Sequence, residues 1–510
     1  MRKVLKLLFS QCVIVSFLLI LQICLLIWFV LSLSRYFIFI DLFLKLISIA
    51  AVIIIMNRHS NPVYKLAWVI PILLFPLLGG LFYLFIVGQT HTALFFKKLQ
   101  LLSDKITKPY SQDKAVLSEI EKEFPKRASL VRYINRASGL CAYRAEDCEY
   151  FETGEKFYAS LLSELEKAEK YIFLEFFILN EGEMWQSVLD ILKRKAAQGV
   201  DVRIMYDGMG SLVLLPKSFP AQLRSLGIKC KVFSPFVPFL SALQNNRDHR
   251  KICVIDGKVA YTGGANISDE YINADGRSAL WKDMCVKVGG DAAFSFTIMF
   301  LKLWAHVNKE DVNIEDFKPE CKEPPLANDG YLIAYDDIPL DNYQTGECVY
   351  LDIINKAEKY VYITTPYLIL DHEMVVALKN ASLGGIDIKI ICPYAIDHWY
   401  ARAVAYSYYK ELTENGIEIY EYLPGFIHGK TFCSDDNAAV VGSINLDYRS
   451  LYLHFECACA FMGGGVVKNV RDDFTRTLTK CRRITMKDFE KMSFVKKLLG
   501  AVLRIFAPLM

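Results

Sequence analysis

The globular part of this chain is written twice, and that duplication limits its fold more than any other feature. Lys167-Ala168-Glu169-Lys170-Tyr171 leads into the apolar run 172–179, and Lys356-Ala357-Glu358-Lys359-Tyr360 leads into 361–370. Each pattern is a helix end followed by a buried strand. Gly199-Val200-Asp201-Val202-Arg203-Ile204 is matched by Gly385-Ile386-Asp387-Ile388-Lys389-Ile390. Both read as a helix stopped at glycine and then a short strand. Leu226-Gly227-Ile228 and Asn415-Gly416-Ile417 follow in the same order. Such alternation predicts an α/β fold of two tandem halves around a largely parallel or mixed sheet. The halves are expected at 139–306 and 342–485. A charged helical linker, 97–138, precedes them, and a proline-bearing linker, 307–341, separates them.

Each half ends on the same motif. The first is His249-Arg250-Lys251-Ile252-Cys253-Val254-Ile255-Asp256, and the second is His428-Gly429-Lys430-Thr431-Phe432-Cys433-Ser434-Asp435. Both have the spacing HxKxxxxD. Gly263-Gly264-Ala265-Asn266 follows the first and Gly442-Ser443-Ile444-Asn445 the second. Residues at i and i+2 of a strand share a face, so His249 projects with Lys251 and His428 with Lys430. Asp256-Gly257 is a hairpin-type turn that can return Asn266 alongside. Halves packed face to face would gather two histidines, two lysines and two asparagines around one small volume. That set suits a phosphodiester. Lysine and asparagine donors hold its oxygens. One histidine attacks phosphorus while the other protonates the leaving alcohol. No metal or other cofactor is expected, because the lysines supply the positive charge.

The chain has 510 residues, which predicts two or three domains, and 53% of them are hydrophobic. Its N-terminal part, 1–96, reads as a membrane anchor with segments at about 7–34, 36–56 and 66–90. Arg2, Lys3 and Lys6 precede the first segment, which is too long for a signal peptide and is taken as uncleaved. Asp41 and Lys45 lie four apart in the second and could pair. The third contains Pro71, Pro76, Gly79 and Gly80, so whether it crosses or re-enters is left open. Flanking positive charge and scattered free cysteines place the catalytic region in the cytoplasm. The net charge of +3 gives no basic stripe for a nucleic acid.

The paired motifs resemble the phospholipase D superfamily. The surrounding stretches resemble its bacterial cardiolipin synthase branch: Asn61-Pro62, Lys65-Leu66-Ala67-Trp68, Tyr206-Asp207-Gly208, Thr365-Pro366-Tyr367 and Asn445-Leu446-Asp447 with Arg449-Ser450. The resemblance runs from the membrane segments to about residue 480. It departs from the simplest two-segment members by the hydrophobic stretch before residue 35. It implies a multi-pass protein of the bacterial inner (plasma) membrane that joins two phosphatidylglycerol molecules into cardiolipin through a phosphatidyl-histidine intermediate. Glycerol would leave first. It also implies His249 as nucleophile and His428 as acid, although the symmetric motifs themselves leave the choice open. Asp256 and Asp435, counted in the catalytic motif, are implied to be mainly structural. Asp283 and Glu456 stand at suitable positions to orient the histidine rings.

Several features remain. Residues 233–243 and 422–427 form apolar, proline-bearing loops before each motif and could contact acyl chains. The tail 486–510 reads as an interfacial helix, with Lys496, Lys497 and Arg504 suited to anionic headgroups. His398 and His454 are left out of the catalytic set. Two rival functions use the same motifs: a phospholipase D with water as acceptor, and a nucleic-acid phosphodiesterase. A non-catalytic membrane scaffold is a third. Acceptor preference and oligomeric state are not legible.

Overall fold

The computed structural model describes residues 20–25, 27–28, 31–32, 38–57, 61–75, 79–87, 90–107, 110–237, 242–276, 279–320, 329–339, 341, 343–395 and 397–509. Two mixed sheets dominate it, and they repeat each other. The first runs Glu149–Phe151, Cys285–Gly289, Val259–Gly263, Lys251–Ile255, Tyr171–Phe176, Asp201–Asp207, Lys229–Phe233. The second runs Ala142–Arg144, Tyr331–Asp337, Glu456–Met462, Ala438–Gly442, Thr431–Ser434, Tyr360–Thr364, Asp387–Pro393, Glu418–Tyr422, Cys481–Arg483. From Cys285–Gly289 onward in one, and Glu456–Met462 onward in the other, six strands follow the same order and directions. In each set the last three are parallel. The register repeats as well: Tyr171 faces Asp201, and Tyr360 faces Asp387.

The motif aspartates lock this repeat. Asp256 and Asp435 take positive φ at the hairpin turns, 53° and 54°, a conformation that aspartate tolerates better than most residues. The Asp256 carboxylate accepts the backbone N–H groups of Glu169, Lys170 and Tyr171 at 2.7–2.8 Å. Asp435 accepts those of Glu358, Lys359 and Tyr360 at 2.7–3.0 Å. Each duplicated helix end is thus held by the duplicated motif. Both aspartates lie at the far end of the strand from the motif histidine, so they do not join the histidine cluster.

The halves pack face to face and share a core. Phe173, Val254, Val286 and Val288 of the first half lie in one buried apolar cluster with Val441, Cys457 and Cys459 of the second. The helix Ala293–Asn308 is buried along most of its length beside them. Its Lys302 meets Asp336 at 3.0 Å in the interior. Backbone pairing also crosses between halves. Leu280–Lys282 pairs in parallel with Gly425–Ile427, and Asp248 bridges to Phe455.

The stretch 307–341, expected to be a linker, contributes the strand Tyr331–Asp337 to the second sheet, paired with Ala142–Arg144 and Glu456–Met462. Its seven residues are all buried and alternate between two apolar surfaces, so it is core. The stretch 97–138 is helical, as expected. Lys114–Glu123 and Ala128–Ser138 bury Ile120, Val131 and Ile134 in the core of the second half.

Toward the N-terminus stand the helices Ile38–Met56, Pro62–Leu74 and Gly79–Val87. The third hydrophobic segment is therefore split. Glycine permits its return: a Cβ on Gly80 would lie 2.6 Å from the Ser48 backbone. Among the described residues, no helix is long and apolar enough to cross a membrane. Most of the segment 7–34 and the side chain of Asp41 lie outside the described residues. Asn61 caps the helix Pro62–Leu74 and donates to the Tyr452 hydroxyl at 3.0 Å, which ties this part to the second half.

Candidate active site

The cross-half pairings deliver each motif histidine to the opposite half. The His249 N–H donates to Phe455 O at 2.9 Å, and the His428 N–H donates to Lys282 O at 2.7 Å. Each contact sets a carboxylate against the ring. His249 Nδ1 lies 2.8 Å from Glu456 Oε1, and His428 Nδ1 lies 2.7 Å from Asp283 Oδ2. An ionised carboxylate only accepts, so opposite Asp283 the His428 Nδ1 carries the proton and Nε2 keeps its lone pair, and the same holds for His249 whenever Glu456 is ionised. These are the two carboxylates that the resemblance pointed to. The structure adds that they are exchanged: each serves the histidine of the other half.

Lys251 and Lys430 share a face with their histidines, as the strand period requires. Lys251 Nζ donates to His249 O at 2.5 Å, and Lys430 Nζ donates to His428 O. Burial pushes the two ammonium groups down, to about 8 and about 7. His249 is driven well below its ordinary value by burial, then by Lys251, Lys430 and His428. His428 falls to about 4 by burial and Lys430, against the opposing pull of Asp283. Each histidine therefore senses the other half's lysine. Both rings are only 7% exposed, so an ion there is poorly screened by water.

The two carboxylates are not electrically equal. Burial raises Glu456 to about 7 although Lys251 opposes it. Burial would raise Asp283 too, but His428 and Lys430 outweigh it and hold it below its usual range. The shorter Asp283 fits against Gly264, where a Cβ would sit 2.0 Å from its Oδ1. The equivalent position in the second half is Ser443, whose hydroxyl donates to Glu456 Oε2.

The asparagines differ. The Asn266 amide accepts from Ile178 N at 3.0 Å and donates to Tyr271 Oη at 2.7 Å. At most one amide hydrogen is left for a ligand. Among the described residues, the buried Asn445 Oδ1 has no hydrogen-bond partner.

His454, set aside on sequence, lies beside His249 with ring centroids 5.6 Å apart. Its equivalent in the first half is Trp281, whose ring lies 5.3 Å from His428. The signal was present: His454-Phe455-Glu456 occupies the place of Trp281-Lys282-Asp283. Ligand atoms of His249, His454 and Glu456 fall within 4.8 Å of one another. Those residue types can bind a metal. However, His249 and Glu456 already satisfy each other, and the neighbouring Lys251 and Lys430 oppose a dication. His398 is exposed and stacks on Tyr400, 5.3 Å away.

Two facing α/β halves that bury a pair of histidine–lysine motifs define a phospholipase D-like protein. The family model described as "Cardiolipin synthase, PLD-like domain" matches residues 161–283 and 350–478, and "Phospholipase_D-nuclease N-terminal" matches 46–88. A Halalkalibacterium halodurans protein named cardiolipin synthase is 32% identical over 475 residues, covering 92% of each chain. One of the same name from Clostridium perfringens is 31% identical over 89% of this chain and 95% of its own. A Streptococcus mutans protein described as uncharacterized is 43% identical over 91% of this chain and all of its own. A crystal structure of phosphatidylserine synthase from Haemophilus influenzae Rd KW20 shares the fold. Its TM-score is 0.57 at 14% identity, over 75% of this chain and 97% of that one. The chain belongs to the cardiolipin synthase family of phospholipase D-like proteins.

Proposed function

We propose that the chain is itself a cardiolipin synthase, transferring a phosphatidyl group from one phosphatidylglycerol to another and releasing glycerol. The crossed pairs His249–Glu456 and His428–Asp283, closing on two shared lysines, carry this reading. His249 Nε2 attacks phosphorus, and the bond to the glycerol oxygen breaks. His428, protonated once the substrate's negative charge is in place, gives its proton to that oxygen. A hydroxyl of a second phosphatidylglycerol then returns a proton to His428 and attacks phosphorus, and the phosphorus–nitrogen bond breaks. Lys251, Lys430 and Asn445 hold the non-bridging oxygens, with Asn266 shaping the loop beneath.

The halves in this reading are 139–306 and 342–485, with Tyr331–Asp337 added to the second. The protein sits in a bacterial inner (plasma) membrane as a multi-pass protein, with its catalytic region on the cytoplasmic side. Three observations support this. The N-terminal match covers 46–88. The helix Ile38–Met56 exposes Leu42, Phe43, Leu46, Ile49 and Ile53. The cysteines among the described residues are free thiols, most of them buried. The helix Phe494–Ile505 exposes Phe494, Val495, Leu498 and Val502 and carries Lys496 and Lys497, which fits an anionic membrane surface.

The deciding experiment incubates the purified protein with labelled phosphatidylglycerol, with and without phosphatidylethanolamine, and identifies every lipid formed. Cardiolipin with stoichiometric glycerol supports transfer. Phosphatidic acid without cardiolipin would overturn it in favour of water as acceptor.

A further inference from the structure

The chain that brings Glu456 to His249 is clasped at Phe455. The Phe455 N–H donates to Arg247 O at 2.8 Å, and its carbonyl accepts the His249 N–H at 2.9 Å. Side chains alternate along an extended chain, so the Phe455 ring faces the core while Glu456 faces the histidine. Two rings grip it there. Phe233 meets it edge-on at 5.4 Å, and Phe96 lies nearly parallel at 6.0 Å, with 11° between the planes.

Phe96 comes from outside both halves. It belongs to the helix Thr90–Thr107, which follows the helix Gly79–Val87 of the hydrophobic N-terminal part. Its neighbour Phe95 packs on His306 at 4.2 Å and on Phe233 at 6.4 Å. Phe96 and Leu99 are buried in the same apolar cluster as Phe455, whereas Leu94 and Leu101 of that helix stay exposed.

The first half meets the same need differently. Lys282 stands in the place of Phe455, and its carbonyl accepts the His428 N–H. Its ammonium group donates to Asp473 Oδ1 at 2.9 Å and to Glu152 O at 2.7 Å. The His428 side is thus braced from within the two halves, whereas the His249 side also leans on an N-terminal helix.

We propose that Phe96 is a positioning residue for the His249–Glu456 pair, through which the helix joined to the N-terminal segments sets the geometry of that side of the site. This rests on the proposed function and adds a link between the anchor and one of the two histidines. Losing the Phe96 ring lets the Phe455 backbone shift, and with it the approach of Glu456 to His249. A misplacement of about 1 Å can slow a reaction about a hundredfold.

The test uses the full chain in mixed micelles of detergent and phosphatidylglycerol and follows glycerol release, which is read whether lipid or water accepts the phosphatidyl group. Phe96→Ala is expected to lower kcat about ten- to a hundredfold with KM unchanged. Ile106→Ala is the control. It truncates a buried side chain of the same helix, about 15 Å further along, and should keep its kcat. In a Glu456→Gln background, Phe96→Ala should cost less than about twofold, because the pair it positions is already broken. A folded Phe96→Ala protein with wild-type kcat overturns the inference. So does an equal loss from Ile106→Ala, or a double variant in which the two losses multiply in full. Should Phe96→Ala not fold, Phe96→Leu takes its place: a lowered kcat at constant KM supports the inference, and an unaltered kcat overturns it. A wild-type protein that releases no glycerol would instead overturn the proposed function, a separate result.

Discussion

The ring of His249 is held by the carboxylate of Glu456, 207 residues further along the chain and in the opposite half. Asp283 does the same for His428 from the other direction, across 145 residues. The two halves therefore do not each carry a dyad. They carry one histidine and one carboxylate apiece and assemble both dyads by packing together.

Removing either ring tests the two-histidine mechanism. His249→Ala and His428→Ala should each lower transfer by about a thousandfold or more, since nucleophile and acid act as one unit. Membrane insertion, followed by flotation with vesicles, should be unchanged. Near-normal activity in either variant refutes the mechanism.

The carboxylates should act through the rings. Asp283→Asn and Glu456→Gln leave the packing but lose control of the tautomer, so kcat should fall by about 10²–10⁴ with little change in KM. A fall confined to KM would show that these groups bind lipid.

Glu456 also gives stability a pH dependence of defined sign. Its carboxyl titrates near 7 in the folded chain, above the ordinary 4.5, because of burial. Below 4.5 both states hold the proton. Between 4.5 and 7 the unfolded chain gives up its proton first, so stability falls as pH rises. Glu456→Gln removes this slope, and its advantage over the wild type should grow across that window to at most about 3 kcal/mol. Thermal melts at the two ends of the window check it. An advantage that shrinks with rising pH contradicts the assignment.

The motif aspartates should behave otherwise. Asp256 is nearly buried and takes three backbone N–H groups. Asp256→Ala should cost about 2–4 kcal/mol of stability. The protein that remains folded should keep its kcat. A folded Asp256→Ala protein with kcat reduced a hundredfold would place the residue in the chemistry.

Gly264→Ala should disable the His428 side, because the new methyl would meet Asp283 Oδ1 at 2.0 Å. We expect a loss of kcat comparable to that of Asp283→Asn. Ser443→Ala, at the equivalent position, loses the hydroxyl's contacts to Glu456 and to the Cys457 backbone but introduces no clash, and should be milder.

Much of this was legible in the sequence because it is carried by short-range pattern. Strand alternation put His249 with Lys251 and His428 with Lys430, and the repeated glycine-stopped helices marked the two halves. The family resemblance supplied Asp283 and Glu456. What sequence spacing does not encode is which carboxylate meets which histidine, since that depends on how the two sheets face each other. The strand Tyr331–Asp337 hid between charged, proline-bearing residues because a short strand buried on both sides has no amphipathic alternation to detect. Asn266 and Asn445 look alike in sequence, yet only the first finds Ile178 N and Tyr271 Oη nearby. His454 was discounted as a lone histidine, because its kinship to Trp281 is one of place and not of residue type.

The exchange of carboxylates also governs when activity can arise during synthesis. While the ribosome is still translating the second half, His249 and Lys251 are already made. Until residue 456 emerges and folds back, however, no carboxylate holds the His249 ring, so a chain cut short before the second half assembles neither histidine–carboxylate pair.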